Sequence, residues 1–171
     1  MDLIFETSRL RVCLLHKDDE VGFYKLMNNP NVVIYTPSPV LNRKESDLKL
    51  ASLMSSNHHF WAVELKTTKE FIGIAGLKVQ TKSIAEVAYS LREEFWSKGY
   101  GDEIAKGLIE FGFTHFNYSK LLAFADPKNT NSLKRLSKHM NYLGCFYSEE
   151  YKWDDETFEL TKTEWAQSNS I

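Results

Sequence analysis

"FWSKGYGDEI", residues 95–104, decides how this chain is read. Two glycines flank a tyrosine where a strand-like run, "AEVAYSL" (85–91), gives way to a helical pattern. In "GYGDEIAKGLIEFGFTHF" Ile104, Leu108 and Phe111 recur at the i, i+4, i+7 spacing of a buried helix face. Glycine at a strand-to-helix turn adopts φ > 0 without steric cost and lets a ligand approach the main chain. The first amides of a helix lack intrahelical acceptors, and together with the helix dipole they attract an anion. The backbone from Lys98 through Gly99, Tyr100 and Gly101 to Asp102 is therefore a candidate cradle for a phosphate or diphosphate. The same spacing also suits a tight turn that only joins two elements. The carboxylates of Asp102 and Glu103 favour the dipole but would repel a phosphate, so only the Asp102 amide belongs to the cradle.

Outward from this turn, the periodicity changes several times. "LRVCLL" (10–15) predicts a strand, and Asp18 is placed to cap a helix through "DEVGFYKLM" that stops at "NNP". After the two-proline loop "YTPSP", the run from Asn42, "NRKESDLKLASLMSS", opens like a capped helix. "FWAVEL" and "FIGIAGLKV" face each other across "KTTKE" as a hairpin, and "AEVAYSL" continues the sheet. Downstream of the turn, "LLAFAD" reads as a strand and "NTNSLKRLSKHM" as a helix. The chain ends in two strands, "CFYSEEYKW" and "TFELTKTEWA", joined by an acidic tip "DDE". This order predicts an α+β sheet with helices on its faces, not a doubly wound fold.

Composition excludes several classes. With 171 residues, 43% hydrophobic and 13% aromatic, the chain builds one sizeable core, and a single domain over 1–171 is expected. A formal charge of -2 with no long basic block argues against a nucleic-acid binder. "MDLIFETSRLRV" meets charge too early for a signal peptide, and no stretch approaches the roughly 20 apolar residues of a membrane span. Cys13 and Cys145 stand far apart with no CxxC spacing, which fits a reducing, cytoplasmic setting without a zinc site. His58 and His59 are adjacent and point to opposite sides of an extended chain, and His115 and His139 have no neighbouring ligand, so no metal is expected. Phe111, Phe113 and Phe116 read as core and helix-end packing.

Three segments in order, "ETSRLRV", "EVAYSLREEFWSKGYGDE" and "DPKNTNSLKRLSKHMNY", make the chain resemble the GNAT superfamily of N-acetyltransferases. More narrowly it is similar to the RimJ/RimL-like branch of ribosomal-protein acetyltransferases, with its E-T-x-R-L opening, W-G-K-G-Y-A/G-x-E turn and N-x-x-S before the last helix. The resemblance implies a central mixed, mostly antiparallel, splayed sheet of about seven strands with helices on both faces. It also implies acetyl-coenzyme A lying between two parallel strands, "AEVAYSL" and "LLAFADP", that part like a V. The amides from Lys98 to Asp102 would then grip the cofactor's diphosphate, with Lys98 adding charge. Two departures stand out: Ser97 replaces the family's usual glycine, and Lys138–Tyr142, "KHMNY", replaces K-L-G-F. Asn141 is read as ending that helix in place of glycine.

The same resemblance maps Asn129 to a pantetheine contact and Ser132 to a hydroxyl near the thioester sulfur; both also suit simple helix capping. A primary amine attacks a thioester only when neutral, so a base must remove its proton. Alternation places Glu86, Ala88 and Ser90 on one face of their strand and Ala85, Val87, Tyr89 and Leu91 on the other. Glu86 stands at the family's distance before the glycine turn and is the first candidate base; the competing reading is a rim carboxylate paired with a lysine. Ser132 is the candidate partner of the departing sulfur, with Tyr89, Tyr142 and Tyr147 as substitutes. A main-chain amide among Val87, Ala88 and Tyr89 would polarise the carbonyl oxygen. Expected partners are a primary amine, namely a protein N-terminus, a polyamine or an aminoglycoside, drawn in if the acidic run "SEEYKWDDE" rims the site. The reading is an acetyl-coenzyme A dependent N-acetyltransferase using direct transfer, monomeric or homodimeric. The rival is a non-catalytic acyl-coenzyme A binding module acting as sensor or structural element.

Overall fold

The computed structural model describes residues 2–149 and 152–168. The chain runs β1 (Leu3–Glu6), β2 (Leu10–Leu14), α1 (Glu20–Met27), α2 (Pro30–Val33), α3 (Arg43–Met54), β3 (His59–Leu65), β4 (Phe71–Val79) and β5 (Ile84–Leu91). It continues through α4 (Tyr100–Thr114), β6 (Lys120–Ala125), α5 (Thr130–His139), β7 (Asn141–Ser148), β8 (Trp153–Thr161) and α6 (Lys162–Ser168). The strands form one sheet in the order β1-β2-β3-β4-β5-β6-β8-β7. Every neighbouring pair is antiparallel except β5 with β6.

That parallel pair sets the architecture. β5 and β6 are in register only at Ile84 with Lys120, Ala85 with Leu121 and Glu86 with Leu122. β4 stays paired to β5 as far as Leu91, and β8 to β6 as far as Ala125. Held from outside and released inside, the two strands part after Glu86 and open a V with arms at 87–91 and 123–125.

Alternation along the strands feeds two cores. Trp61 and Val63 of β3 face a core shared with Ile104, Leu108 and Phe113 of α4 and Leu136 of α5. Ala62, between them, joins Phe23 and Leu26 of α1 and Leu50 of α3 on the opposite face. Each fully buried apolar side chain of this kind stabilises the fold by roughly 1.5–3 kcal/mol. The helix from Asn42 forms as its sequence predicts: Asn42 Oδ1 accepts from the Glu45 amide at 3.0 Å, and Glu45 accepts from the Asn42 amide at 2.8 Å.

Several local expectations are corrected. β1 is an eighth strand, four residues long and paired to β2 through a bulge, too short to show alternation in sequence. A 3-10 turn at Lys17–Asp19 precedes α1, and Asp19, not Asp18, holds the His16 amide at 2.8 Å. The "DDE" residues lie within β8, opposite Tyr147, Phe146 and Cys145, instead of forming a tip. "KTEWA" is helical: Glu164 accepts from the Thr161 amide and hydroxyl at 2.9 and 2.6 Å, ending β8, and Trp165 packs on Phe113 with ring centroids 5.4 Å apart. α5 stops without a left-handed residue, because extended Met140 leads straight into β7 at Asn141. Among the described residues no helix is long and apolar enough to cross a membrane.

Candidate active site

The segment "REEFW" (92–96) anchors the turn between β5 and α4. The buried Arg92 guanidinium donates to the Phe71 carbonyl at 2.8 Å, pairs with Glu70 at 3.0 Å and with Glu94, and lies over the Phe95 ring. Trp96 Nε1 donates to the Leu91 carbonyl at 2.7 Å. Beyond these anchors Ser97 and Gly99 take φ of 59° and 80°. The Gly99 conformation is the one a glycine adopts most readily. No side chain caps α4, and its first internal bond runs from the Glu103 amide to the Gly99 carbonyl at 3.1 Å. The amides of Tyr100, Gly101 and Asp102 lie ahead of that bond, as an anion cradle requires.

The two acids of the first turn fasten it to distant parts of the chain. Glu103 accepts from Thr7 Oγ1 at 2.5 Å, the Arg9 amide at 2.7 Å and Arg9 Nε at 2.7 Å. Arg9 also donates to the Lys98 carbonyl at 2.9 Å and stacks over Tyr100. The opening "ETSR" is thereby a strap across the turn. Asp102 contacts His139 Nε2 at 3.1 Å and Lys138 at 3.5 Å, tying α4 to the end of α5 and giving His139 the partner its sequence position did not reveal. Burial alone would raise both carboxyls, but these partners hold Asp102 and Glu103 below their ordinary values.

A cleft of about 370 Å³ fills the V. Tyr89 and Ser90 of β5 and Phe124 and Ala125 of β6 form its arms. Asn129, Ser132 and Arg135 close it on the α5 side, and Asn31, Tyr35 and Thr36 close it on the other. The Tyr89 hydroxyl and Arg135 Nε are buried with no hydrogen-bond partner. Burial pushes the Tyr89 phenol above its ordinary value, against the pull of nearby Arg135 and Ser132. Asn129 caps α5 by accepting from the Ser132 amide at 3.1 Å, which leaves its side-chain NH2 to donate into the cleft.

The predicted site residues divide by location. Tyr89, Asn129 and Ser132 meet in the cleft; Val87 and Ala88 are not among its lining residues and lie just before it on β5, where the backbone is released from β6. Lys98 is exposed on the turn, its ammonium 5.2 Å from the Phe95 ring centre. Glu86 is apart from the cleft lining, at the last paired rung before the V opens. Its carboxylate accepts from Gln80 at 3.1 Å and sits 3.9 Å from Lys78. It shares a sheet face with Ser90, the partner of Ile74, and so faces the α1 and α3 side. Tyr142 and Tyr147 are exposed on β7, away from Ser132.

Among the described residues of the acidic run none lines the cleft: Asp155 is buried in β8 and Glu156 accepts from Tyr142 at 2.5 Å, while Glu150 lies outside the described residues. His58 accepts from the Val79 amide at 3.1 Å and His59 stacks on Phe116 at 4.3 Å, so both are structural. Among the described residues no group of three metal-ligating side chains occurs. Sequence reasoning missed several cleft residues, among them Asn31, Tyr35, Thr36, Phe124 and Arg135; the one signal for Arg135 is its i+3 spacing from Ser132, which puts both on one helix face.

Residues 9–139 match the family described as the acetyltransferase (GNAT) domain. An uncharacterized N-acetyltransferase of Bacillus licheniformis, p20, is 28% identical over 138 residues, 77% of this chain and 78% of that protein. The crystal structure of a GNAT-family acetyltransferase from Bacillus anthracis superposes with a TM-score of 0.86 at 19% identity, covering 96% of this chain and 100% of that one. RimL, a ribosomal L7/L12 alpha-N-protein acetyltransferase solved with coenzyme A, gives 0.81 at 13% identity over 94% of this chain and 98% of its own. The fold likeness and the family match agree with the splayed sheet and uncapped turn, and the chain belongs to the GNAT family of acetyltransferases.

Proposed function

We propose that the protein moves an acetyl group from acetyl-coenzyme A to a protein N-terminus by direct attack in a ternary complex, as a RimJ/RimL-like enzyme. The observation that carries this reading is the V between β5 and β6 opening beside an uncapped helix start. The residues present fit the coenzyme: free amides at Tyr100, Gly101 and Asp102 suit a diphosphate, and orphaned polar atoms on Tyr89 and Arg135 await a polar ligand. The amides from Lys98 to Asp102 and the Lys98 ammonium would hold the diphosphate. The β5 main chain at Val87, Ala88 and Tyr89, with the Asn129 amide group, would hold the pantetheine arm. When bound, the coenzyme supplies an activated acetyl thioester.

Glu86 is assigned as the carboxylate that receives the amine proton. It faces the α1 and α3 side, from which an acceptor would approach opposite α4, and since it is outside the cleft lining the proton reaches it through water. Ser132, beside Tyr89, would donate a hydrogen bond to the departing sulfur, and the Tyr89 phenol, pushed above its ordinary value by burial, would stay protonated next to it. A β5 amide polarises the carbonyl oxygen.

The acceptor reading rests on the RimL likeness. Among the described residues no carboxylate lines the cleft, so nothing in its lining selects a polyamine or an aminoglycoside over a peptide. A thiol-release assay with acetyl-coenzyme A tests this against peptides with free N-termini, a polyamine and an aminoglycoside, each at two salt concentrations. Peptide turnover with little salt dependence is expected. Preference for the polycations sinks the acceptor assignment, and coenzyme binding without turnover of any amine identifies the non-catalytic binding module instead.

A further inference from the structure

A cation sits against the positive end of α4. A Cβ built on Gly101 would lie 2.6 Å from Arg135 Nη1, 3.1 Å from its Cζ and 3.3 Å from its Nε. Cα–Cβ bonds tilt toward the N-terminus of a helix, so the guanidinium lies beside the uncapped first turn. It comes from α5, one turn beyond Ser132, with its centre 5.9 Å from the Tyr89 ring centroid. Its Nε is buried with no acceptor, and among the described residues no carboxylate stands within ion-pair distance of it. The two acids on the turn are committed elsewhere, Asp102 to His139 and Lys138 and Glu103 to Thr7 and Arg9.

A partly buried guanidinium without a counterion is unfavourable, and its place beside a helix N-terminus is unfavourable again. Both terms change sign if an anion at the helix start is held jointly by the guanidinium and the amides. The absence of a side chain at Gly101 serves this arrangement directly, because it makes the room that Arg135 occupies. We infer that Arg135 binds the diphosphate of the coenzyme, adding charge-assisted hydrogen bonds to those of the α4 amides. The inference rests on the coenzyme reading above and deepens it. The departing sulfur would be the other anion in the cleft; the proposed function puts it at Ser132, whereas Arg135 packs against Gly101 in the first turn of α4.

The test compares acetyl-coenzyme A with acetyl-pantetheine, which carries the thioester without the diphosphate. R135M is expected to raise the ratio of the two KM values, acetyl-coenzyme A over acetyl-pantetheine, by about 10-fold or more, the worth of a charged hydrogen bond. It is also expected to weaken coenzyme A binding in titration calorimetry by a similar factor, with R135K recovering part of the loss. Equal losses with both thioesters, or none, overturn the inference.

Should R135M fail to fold by circular dichroism, competition by inorganic pyrophosphate decides. Pyrophosphate should compete with acetyl-coenzyme A in the wild type and less well in R135K; equal competition in both overturns the inference. Wild-type protein that binds no coenzyme A at all would remove the coenzyme reading itself, whereas normal binding by R135M removes only the role of Arg135.

Discussion

The first turn of α4 and the β7–β8 hairpin are both rich in acids, and they treat them in opposite ways. Asp102 and Glu103 are each met by two cationic or hydroxyl partners from other elements and are held below their ordinary values. Asp155, only 6% exposed, receives one donor, Trp153 Nε1 at 3.0 Å, and burial with repulsion from Asp126 and Asp154 pushes its carboxyl up. The outer strand β7 meanwhile exposes Tyr142, Leu143, Phe146 and Tyr147. The turn is over-determined and the hairpin is not. That difference fits a preorganised cradle, whose amides must be aimed before the ligand arrives.

The largest expected effect separates the two regions by their glycines. Gly101→Val drives its side chain into Arg135 and displaces the guanidinium from the turn, and about 100-fold weaker coenzyme A binding is expected from losing two charged contacts. Gly144→Val in β7, where φ is 134°, should lower the melting temperature yet spare coenzyme affinity. Calorimetric titration of both variants checks the contrast; equal affinity losses would mean the cradle is not a local device.

Next in size is Glu86→Gln at the vertex of the V. As a base acting through water, Glu86 should be worth about 100-fold in kcat, the low end for a positioned general base, with coenzyme binding retained and the deficit greatest at low pH. Asp155→Asn, a carboxylate removed from the hairpin, should leave kcat alone. If Glu86→Gln turns over normally while Asp155→Asn does not, the base lies on the hairpin side.

What the sequence revealed follows the range of the forces involved. The helix faces, the Asn42 cap, the glycine turn and the β3–β4 hairpin depend on neighbours within a short stretch of chain and were legible, whereas the parallel pairing of β5 with β6 across α4 was implied only by the family resemblance. The contacts of Glu103 and the position of Arg135 were not. Glu103 reads as a helix-dipole residue until the fold brings Thr7 and Arg9 across ninety-odd positions of chain. Arg135 reads as an exposed residue of a polar helix until Gly101 leaves it a space. "DDE" looked like a tip because three acids in a row resemble a loop, whereas pairing with β7 hides Asp155 and exposes its neighbour Asp154.

Glu103→Gln measures what the strap contributes. Its carboxylate takes three hydrogen bonds and is 14% exposed, but Arg9 is 48% exposed and screened, so about 2 kcal/mol of destabilisation at pH 7 is expected rather than the full sum. Urea unfolding at constant m-value checks it. A loss near zero would show that the N-terminal strap is incidental to the turn.

The smallest effect has the opposite sign, and pH exposes it. A carboxyl depressed in the folded state contributes stability that is present above its unfolded value and lost as pH falls through the folded one. Asp102 and Glu103, with ordinary values of 3.8 and 4.5, therefore give the wild type an acid limb that steepens below about pH 4.5, and Glu103→Gln should flatten it. Asp155 runs the other way. Its raised carboxyl binds a proton more tightly folded than unfolded, so it stabilises below 3.8 and costs stability once pH rises through its folded value. Asp155→Asn keeps the acceptor oxygen for Trp153 and removes the charge, and about 0.5–1 kcal/mol of added stability at pH 7, vanishing toward pH 3, is expected for a buried carboxylate beside two others. Melting curves of the two variants from pH 3 to pH 8 should thus diverge as pH rises. If the Asp155 variant instead melts below the wild type at neutral pH, the hairpin acids are as well satisfied as those of the turn, and the contrast between the two regions is lost.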